Sequence, residues 1–83
     1  MAANSQKRNP VAIAFGDVLR AARAQAGISQ EALGLACGID RTYVSLLERG
    51  ERQPTLSTIF ALSRQLGVAA DVLVARTGKA LPK

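Results

Sequence analysis

The sequence predicts an all-α domain of five short helices, and three observations carry that prediction. Apolar residues recur at helical spacing in successive windows, Gly27, Gly38, Gly50 and Gly67 each stand just past the end of one window, and no strand-like alternation appears. The 83 residues make a single domain, because a chain of this size needs most of its apolar side chains for one core.

Residues 1–9 are small and polar, with Lys7 and Arg8 as their only charges, and Pro10 closes the stretch. Residues 1–12 are therefore expected to form a flexible basic arm ahead of a domain at 13–76, with 77–83 as a tail. From Phe15 the pattern becomes helical: Phe15, Val18, Leu19, Ala22 and Ala26 share one stripe, and Gly27 ends the first helix. Ser29 caps the second helix without a full capping box, since Ala32 stands three residues on, and Leu33, Ala36 and Cys37 turn inward until Gly38. Asp40 is a second N-cap candidate and opens a third helix at 41–49, with Val44 and Leu47 on its inner face and Gly50 as its stop. Residues 51–54 form a polar loop. Thr55 caps a fourth helix, whose expected inner face is Leu56, Ile59, Phe60, Ser63 and Leu66 before Gly67. A short fifth helix is expected at about 70–75.

Eleven Lys and Arg stand against six Asp and Glu, and the net charge of +5 points to a polyanionic partner. A single cysteine cannot form an intramolecular disulfide, and the absence of histidine removes the commonest catalytic base and metal ligand. With no paired carboxylates and no nucleophile beside a base, neither an enzyme, a metal site, a cofactor nor a small-molecule ligand is expected. No apolar run approaches the roughly 18 residues of a membrane span, and residues 1–10 lack the apolar stretch of a signal peptide, so a soluble cytoplasmic setting without membrane contact is expected.

The informative stretch is 30–49, two short helices separated by a turn containing Gly38 and Ile39. Helices that cross steeply over so short a turn need a small residue where their backbones meet, here Gly34, and a turn residue tolerant of positive φ, here Gly38. Leu33, Cys37, Ile39, Val44 and Leu47 supply the apolar seam. That constellation is a helix-turn-helix.

On Ile28-Ser29-Gln30-Glu31, the turn around Gly38, Glu48-Arg49-Gly50 and Pro54-Thr55, the sequence resembles the lambda-repressor and Cro-like (XRE-type) family of helix-turn-helix DNA-binding proteins, from Phe15 to about Leu73. Within it, Asp40-Arg41-Thr42-Tyr43-Val44-Ser45 followed by Glu48-Arg49-Gly50 is similar to the controller proteins of restriction-modification genes, which are also short chains. The resemblance implies a double-stranded DNA partner, a backbone contact from Gln30 and an ion pair between Arg23 and Glu48. It leaves three features unexplained: apolar Leu35 at an outward position, Val11 and Ile13 ahead of the matched region, and Ala69 where a serine or threonine often caps the last helix. An N-terminal extension folded over the second helix would account for the first two.

At 100° per residue, Val44, Leu47 and Glu48 cluster on one side of the third helix, while Thr42, Ser45, Leu46 and Arg49 project from the other. Arg41, Thr42 and Tyr43 occupy the first turn, which usually reaches base edges. Arg41 suits guanine O6 and N7, a pairing worth about 1–3 kcal/mol of discrimination, and Thr42 suits a hydrogen bond or a thymine methyl. Tyr43 either joins them or packs against the second helix; Leu46 either touches a methyl or sugar or is an ordinary exposed leucine; Ser45 completes the base-reading set. Gln30, Arg49, Arg52, Gln53, Thr55 and Ser57 are the candidate phosphate contacts. Arg23 and Glu48 lie on the rims of their apolar stripes as a structural pair, and Cys37 is expected as a packed, inert thiol.

One helix contacting four or five base pairs selects too little sequence alone, so a homodimer on a near-palindromic operator is expected, with recognition helices about 34 Å apart. Leu62, Val68, Val72, Leu73 and Val74 are its candidate interface, with core packing as their competing use. The expected function is a transcriptional regulator, with repression where it overlaps a promoter and contact with RNA polymerase through residues such as Glu51 where it binds upstream. The alternative is an antitoxin or protein-interaction module of the same fold. Residues 1–27 carry four positive and one negative charge, 28–54 three and four, and 55–83 four and one, so the reading unit itself is slightly acidic.

Overall fold

The computed structural model describes residues 9–82, which form five α-helices: α1 Pro10–Ala26, α2 Gln30–Cys37, α3 Arg41–Glu48, α4 Leu56–Leu66 and α5 Ala70–Ala80. No strand occurs among these residues, so the expected all-α arrangement of five helices is the observed one.

The first helix begins five residues earlier than Phe15. Asn9 has extended backbone and its side chain accepts from the Val11 N–H at 2.7 Å, while Pro10 takes the first helical position, where its missing N–H is no loss. Residues 10–12 thus belong to the helix and not to a flexible arm; residues 1–8 of that arm lie outside the described residues. Ile13 lies against the end of α3, since a Cβ built on Gly50 would stand 2.7 Å from its Cα, and Val11 lines a 260 Å³ cavity with Phe15, Pro54 and Ile59. The two residues therefore do not fold over α2, where Leu35 remains 83% exposed.

Ser29 and Thr55 cap α2 and α4, accepting from Ala32 N at 3.0 Å and Thr58 N at 3.1 Å. Gly27, Gly38 and Gly67 end α1, α2 and α4 in left-handed conformation, as their positions predict. The backbones of α2 and α3 meet at Gly34, where an added Cβ would stand 2.7 Å from the Ile39 carbonyl oxygen. Two ends differ from expectation. The third helix stops at Glu48, with Arg49 as its cap, and α5 continues to Ala80, with the buried Thr77 hydroxyl donating to the Leu73 carbonyl at 2.9 Å. Residues 77–80 are therefore helix, not tail. Ala69 provides no side-chain cap, as its type dictates.

α1 packs along α5 and crosses α3, while α2 lies on α3 and α4. Phe15, Leu19, Leu33, Val44, Leu47, Leu62, Leu66 and Leu73 meet between them. Burying each large apolar side chain stabilises the fold by about 1.5–3 kcal/mol. The inner face of α4 is the expected one in part: Ile59 and Leu66 turn inward as expected and Leu62 joins them, whereas Leu56 and Phe60 are 67% and 52% exposed. Both stripes have helical spacing. Ser63 marks the stripe of Leu56 and Phe60 as the one that the core leaves outside. No single helix among the described residues is long and apolar enough to cross a membrane.

Candidate nucleic-acid interface

α3 is only 8 residues long, so its orientation depends on what its buried face grips. Val44, Leu47 and Glu48 are buried, and α1 crosses the last turn of α3 at Gly16, where an added Cβ would stand 2.5 Å from the Glu48 carbonyl oxygen and 2.6 Å from that of Leu47. That close crossing fixes the tail of α3. The opposite face is open: Arg41 and Thr42 are exposed, while Tyr43, Ser45 and Leu46 are half-buried. Tyr43 packs against the core, so its ring sits at the edge of the exposed face rather than on it.

Glu48 organises the charges behind this face. Its side chain is 0% exposed and receives the Arg23 guanidinium in two hydrogen bonds, Nε to Oε2 and Nη2 to Oε1, the latter at 3.1 Å. Gln30 Nε2 donates to Oε1 at 2.9 Å, and Arg20 Nε lies 3.6 Å from the same oxygen. Arg23 Nη1 also donates to the Ile28 carbonyl at 2.9 Å, tying α1 to the start of α2. Burial alone would raise the Glu48 pKa, but the hydrogen bonds from Arg23 and Gln30 and the charges of Arg23 and Arg20 outweigh it and hold the carboxyl below the ordinary glutamate range. The hydrogen bond to Glu48 raises the Arg23 pKa in turn. Gln30 thus stands at the first position of α2 with its amide already fixed by Glu48.

The remaining candidate phosphate contacts lie along the loop after α3 and the start of α4. Arg49, Arg52, Gln53, Thr55 and Ser57 are all exposed; Arg49 Nε lies 3.2 Å from Glu51 Oε2, and the Thr55 hydroxyl is engaged in capping α4. The first N–H groups of α4 have no partner within the helix, which suits an anionic oxygen. Cys37 packs towards α4, its thiol 3.6 Å from the Ala61 carbonyl, and burial raises its pKa, as befits an inert thiol. No group of three or more metal-ligating side chains forms among the described residues.

The candidate dimer residues need correction. Leu62 and Leu73 are 0% exposed within one chain and have no surface left to give a partner; their competing use, the core, takes them. Val68 is half-buried against that core, and only Val72 and Val74 are open. Exposed apolar surface lies instead around a 430 Å³ groove lined by Leu56, Ile59, Phe60, Ala70, Asp71 and Val74. Sequence reasoning passed over Leu56 and Phe60 by assigning them to the core, and Ser63 on the same stripe was the signal against it. It also passed over Arg20 as a Glu48 partner and Gly16 as the crossing point; a glycine inside a 17-residue helix was the signal for the latter.

The family model described as Helix-turn-helix matches residues 19–73. The control protein C.BamHI of Bacillus amyloliquefaciens is 39% identical over 61 residues, covering 72% of this chain and 75% of that protein. A hypothetical transcription factor of Neisseria meningitidis is 48% identical over 56 residues, 68% of this chain, which spans about half (53%) of its length. The crystal structure of the restriction-modification controller protein C.AhdI from Aeromonas hydrophila superposes with a TM-score of 0.72 at 39% identity, covering 75% of this chain and 94% of that one.

Proposed function

The chain belongs to this helix-turn-helix family of DNA-binding regulators, and we propose that it acts as a homodimeric, sequence-specific transcriptional regulator of the restriction-modification controller type. The observation that carries the reading is the disposition of α3: its tail is locked under α1, while Arg41 and Thr42 stand exposed on its first turn. In this reading Arg41, Thr42, Ser45 and Leu46 meet base edges, with Tyr43 at their margin. Gln30, Arg49, Arg52, Gln53, Thr55 and Ser57 hold the backbone on either side. The similarity to C.BamHI and C.AhdI supports the controller assignment.

Pairing through the groove between α4 and α5 would cover Leu56, Phe60 and Val74, residues that a lone chain leaves in water. Two-fold pairing then presents the α3 helices to half-sites one DNA turn apart. Repression follows where the operator overlaps a promoter, and an upstream operator would bring Glu51 towards RNA polymerase. A selection from random duplexes tests the reading: a near-palindromic consensus is expected, with Arg41→Ala relaxing preference at one symmetric pair of positions and Arg52→Ala weakening all sequences alike. Recovery of no consensus refutes sequence-specific regulation.

A second reading, an antitoxin or protein-interaction module, draws on Leu35 on α2, which is 83% exposed and does not line the groove. Under that reading Leu35→Glu abolishes regulation in cells while operator affinity in the test tube stays the same; under the first reading both stay the same.

A further inference from the structure

Four acids lie within residues 28–54, and three have a local role: Glu48 is buried against Arg23, Glu51 pairs with Arg49 at 3.2 Å, and Glu31 stands in the first turn of α2, at the positive end of that helix. Asp40 has none. It holds the N-cap position of α3 with extended backbone, φ −72° and ψ 144°, yet its side chain makes no capping hydrogen bond. The Tyr43 N–H, the usual partner of a capping carboxylate, donates instead to Asp40's own carbonyl at 2.9 Å. No ion pair joins Asp40 to a cation among the described residues. An exposed carboxylate therefore stands next to Arg41, at the end of α3 that meets DNA in the reading above.

A free carboxylate facing a phosphate backbone weakens binding to every sequence. At the reading end that cost is offset where it accepts a hydrogen bond from a base. We propose that Asp40 is a specificity-determining residue that accepts from the N4 amino group of cytosine in the major groove, beside the base met by Arg41. Cytosine is the match because its amino donor has no acceptor on the same major-groove edge, whereas the amino group of adenine is flanked by N7, whose lone pair would face the second carboxylate oxygen. Asp40 thus sharpens the site mainly by repulsion: sequences without an amino donor there meet an uncompensated negative charge. The inference rests on the DNA-binding reading and adds one position to it.

The test uses the full chain and Asp40→Ala and Asp40→Asn variants in a selection from random duplexes, followed by fluorescence anisotropy on defined duplexes. The wild type is expected to select cytosine at a symmetric position next to the one lost in Arg41→Ala, and to bind the substituted duplex roughly fivefold or more weakly. Asp40→Ala is expected to lose that preference and bind random duplexes more tightly. Asp40→Asn, whose amide offers both a donor and an acceptor, is expected to move the preference towards adenine. A wild-type consensus left unchanged by both variants overturns the role of Asp40 and leaves the regulator reading standing. A wild type that selects no consensus overturns both.

Discussion

Replacing Glu48 with glutamine changes no volume and removes one charge. The carboxylate is fully enclosed and receives donors from Arg23, Gln30 and the flank of Arg20, so the amide would turn an NH2 group against donors it cannot accept from. Arg23, with its side chain 18% exposed, would keep its charge without a counterion. Breaking a buried pair in this way costs about 3–5 kcal/mol. A chain of this length has a total stability of about 4–12 kcal/mol, so the loss is about a quarter of it or more. For a domain this small, 3 kcal/mol corresponds to a fall in Tm of roughly 12–24 °C. Urea and thermal unfolding followed by circular dichroism measure it directly. Glu51→Gln is the control: its pair with Arg49 has side chains 44% and 50% exposed and is expected to contribute no more than about 0.5 kcal/mol. A loss below about 1 kcal/mol for Glu48→Gln, or equal losses for the two variants, would refute the claim that Glu48 anchors α3.

The same carboxylate sets an acid limb. Because its folded pKa lies below the ordinary range, its contribution is complete above that range and is lost as pH falls through the folded value, so Glu48→Gln should flatten the decline of stability below about pH 5. Gly16→Ala pushes a methyl into the backbone carbonyls of Glu48 and Leu47, atoms that cannot swing aside, and is expected to destabilise by about 2 kcal/mol or more in urea titrations. Phe60→Glu should dissociate the proposed dimer in sedimentation experiments while leaving the monomer folded, because the ring is already half in water. Leu62→Ala, in contrast, should lower stability by about 2–5 kcal/mol, since it opens a cavity in the core.

Much of this fold is legible in the sequence because its punctuation is local. Ser29 and Thr55 accept from N–H groups three residues on, and the glycines after α1, α2 and α4 have the positive φ that their positions require. What sequence alone misplaces depends on neighbours distant along the chain. α4 carries two stripes of helical spacing that differ in sequence only by Ser63 on the outer one, and the packing of α1, α2 and α5 makes Leu62 core and leaves Phe60 outside. Pro10 reads as the end of an arm until Asn9 is seen to cap the helix that follows it. The Arg23–Glu48 pair, implied by family resemblance, is present, but the convergence of Arg20 and Gln30 on the same carboxylate has no signature in spacing, because the groups lie 28 and 18 positions from Glu48. Asp40 is a lesson of another kind: it is the N-cap that its residue type predicts, but the Tyr43 N–H bonds to its backbone carbonyl and not to its side chain.

The crossing at Gly16 separates two tasks along a helix of barely two turns. Every attachment of α3 that involves Glu48 or the carbonyls beneath Gly16 lies in its last turn, while Arg41 and Thr42 occupy the first. The helix is mounted like a bit in a chuck: Gly16 and Gly34 let neighbouring backbones grip it at both ends, and the side chains of its first turn stand free. Operator preference is thereby exchangeable. A graft that rewrites positions 40, 41, 42, 45 and 46 but keeps Val44, Leu47, Glu48 and the small residue at 16 should carry a new base preference on an unaltered mount.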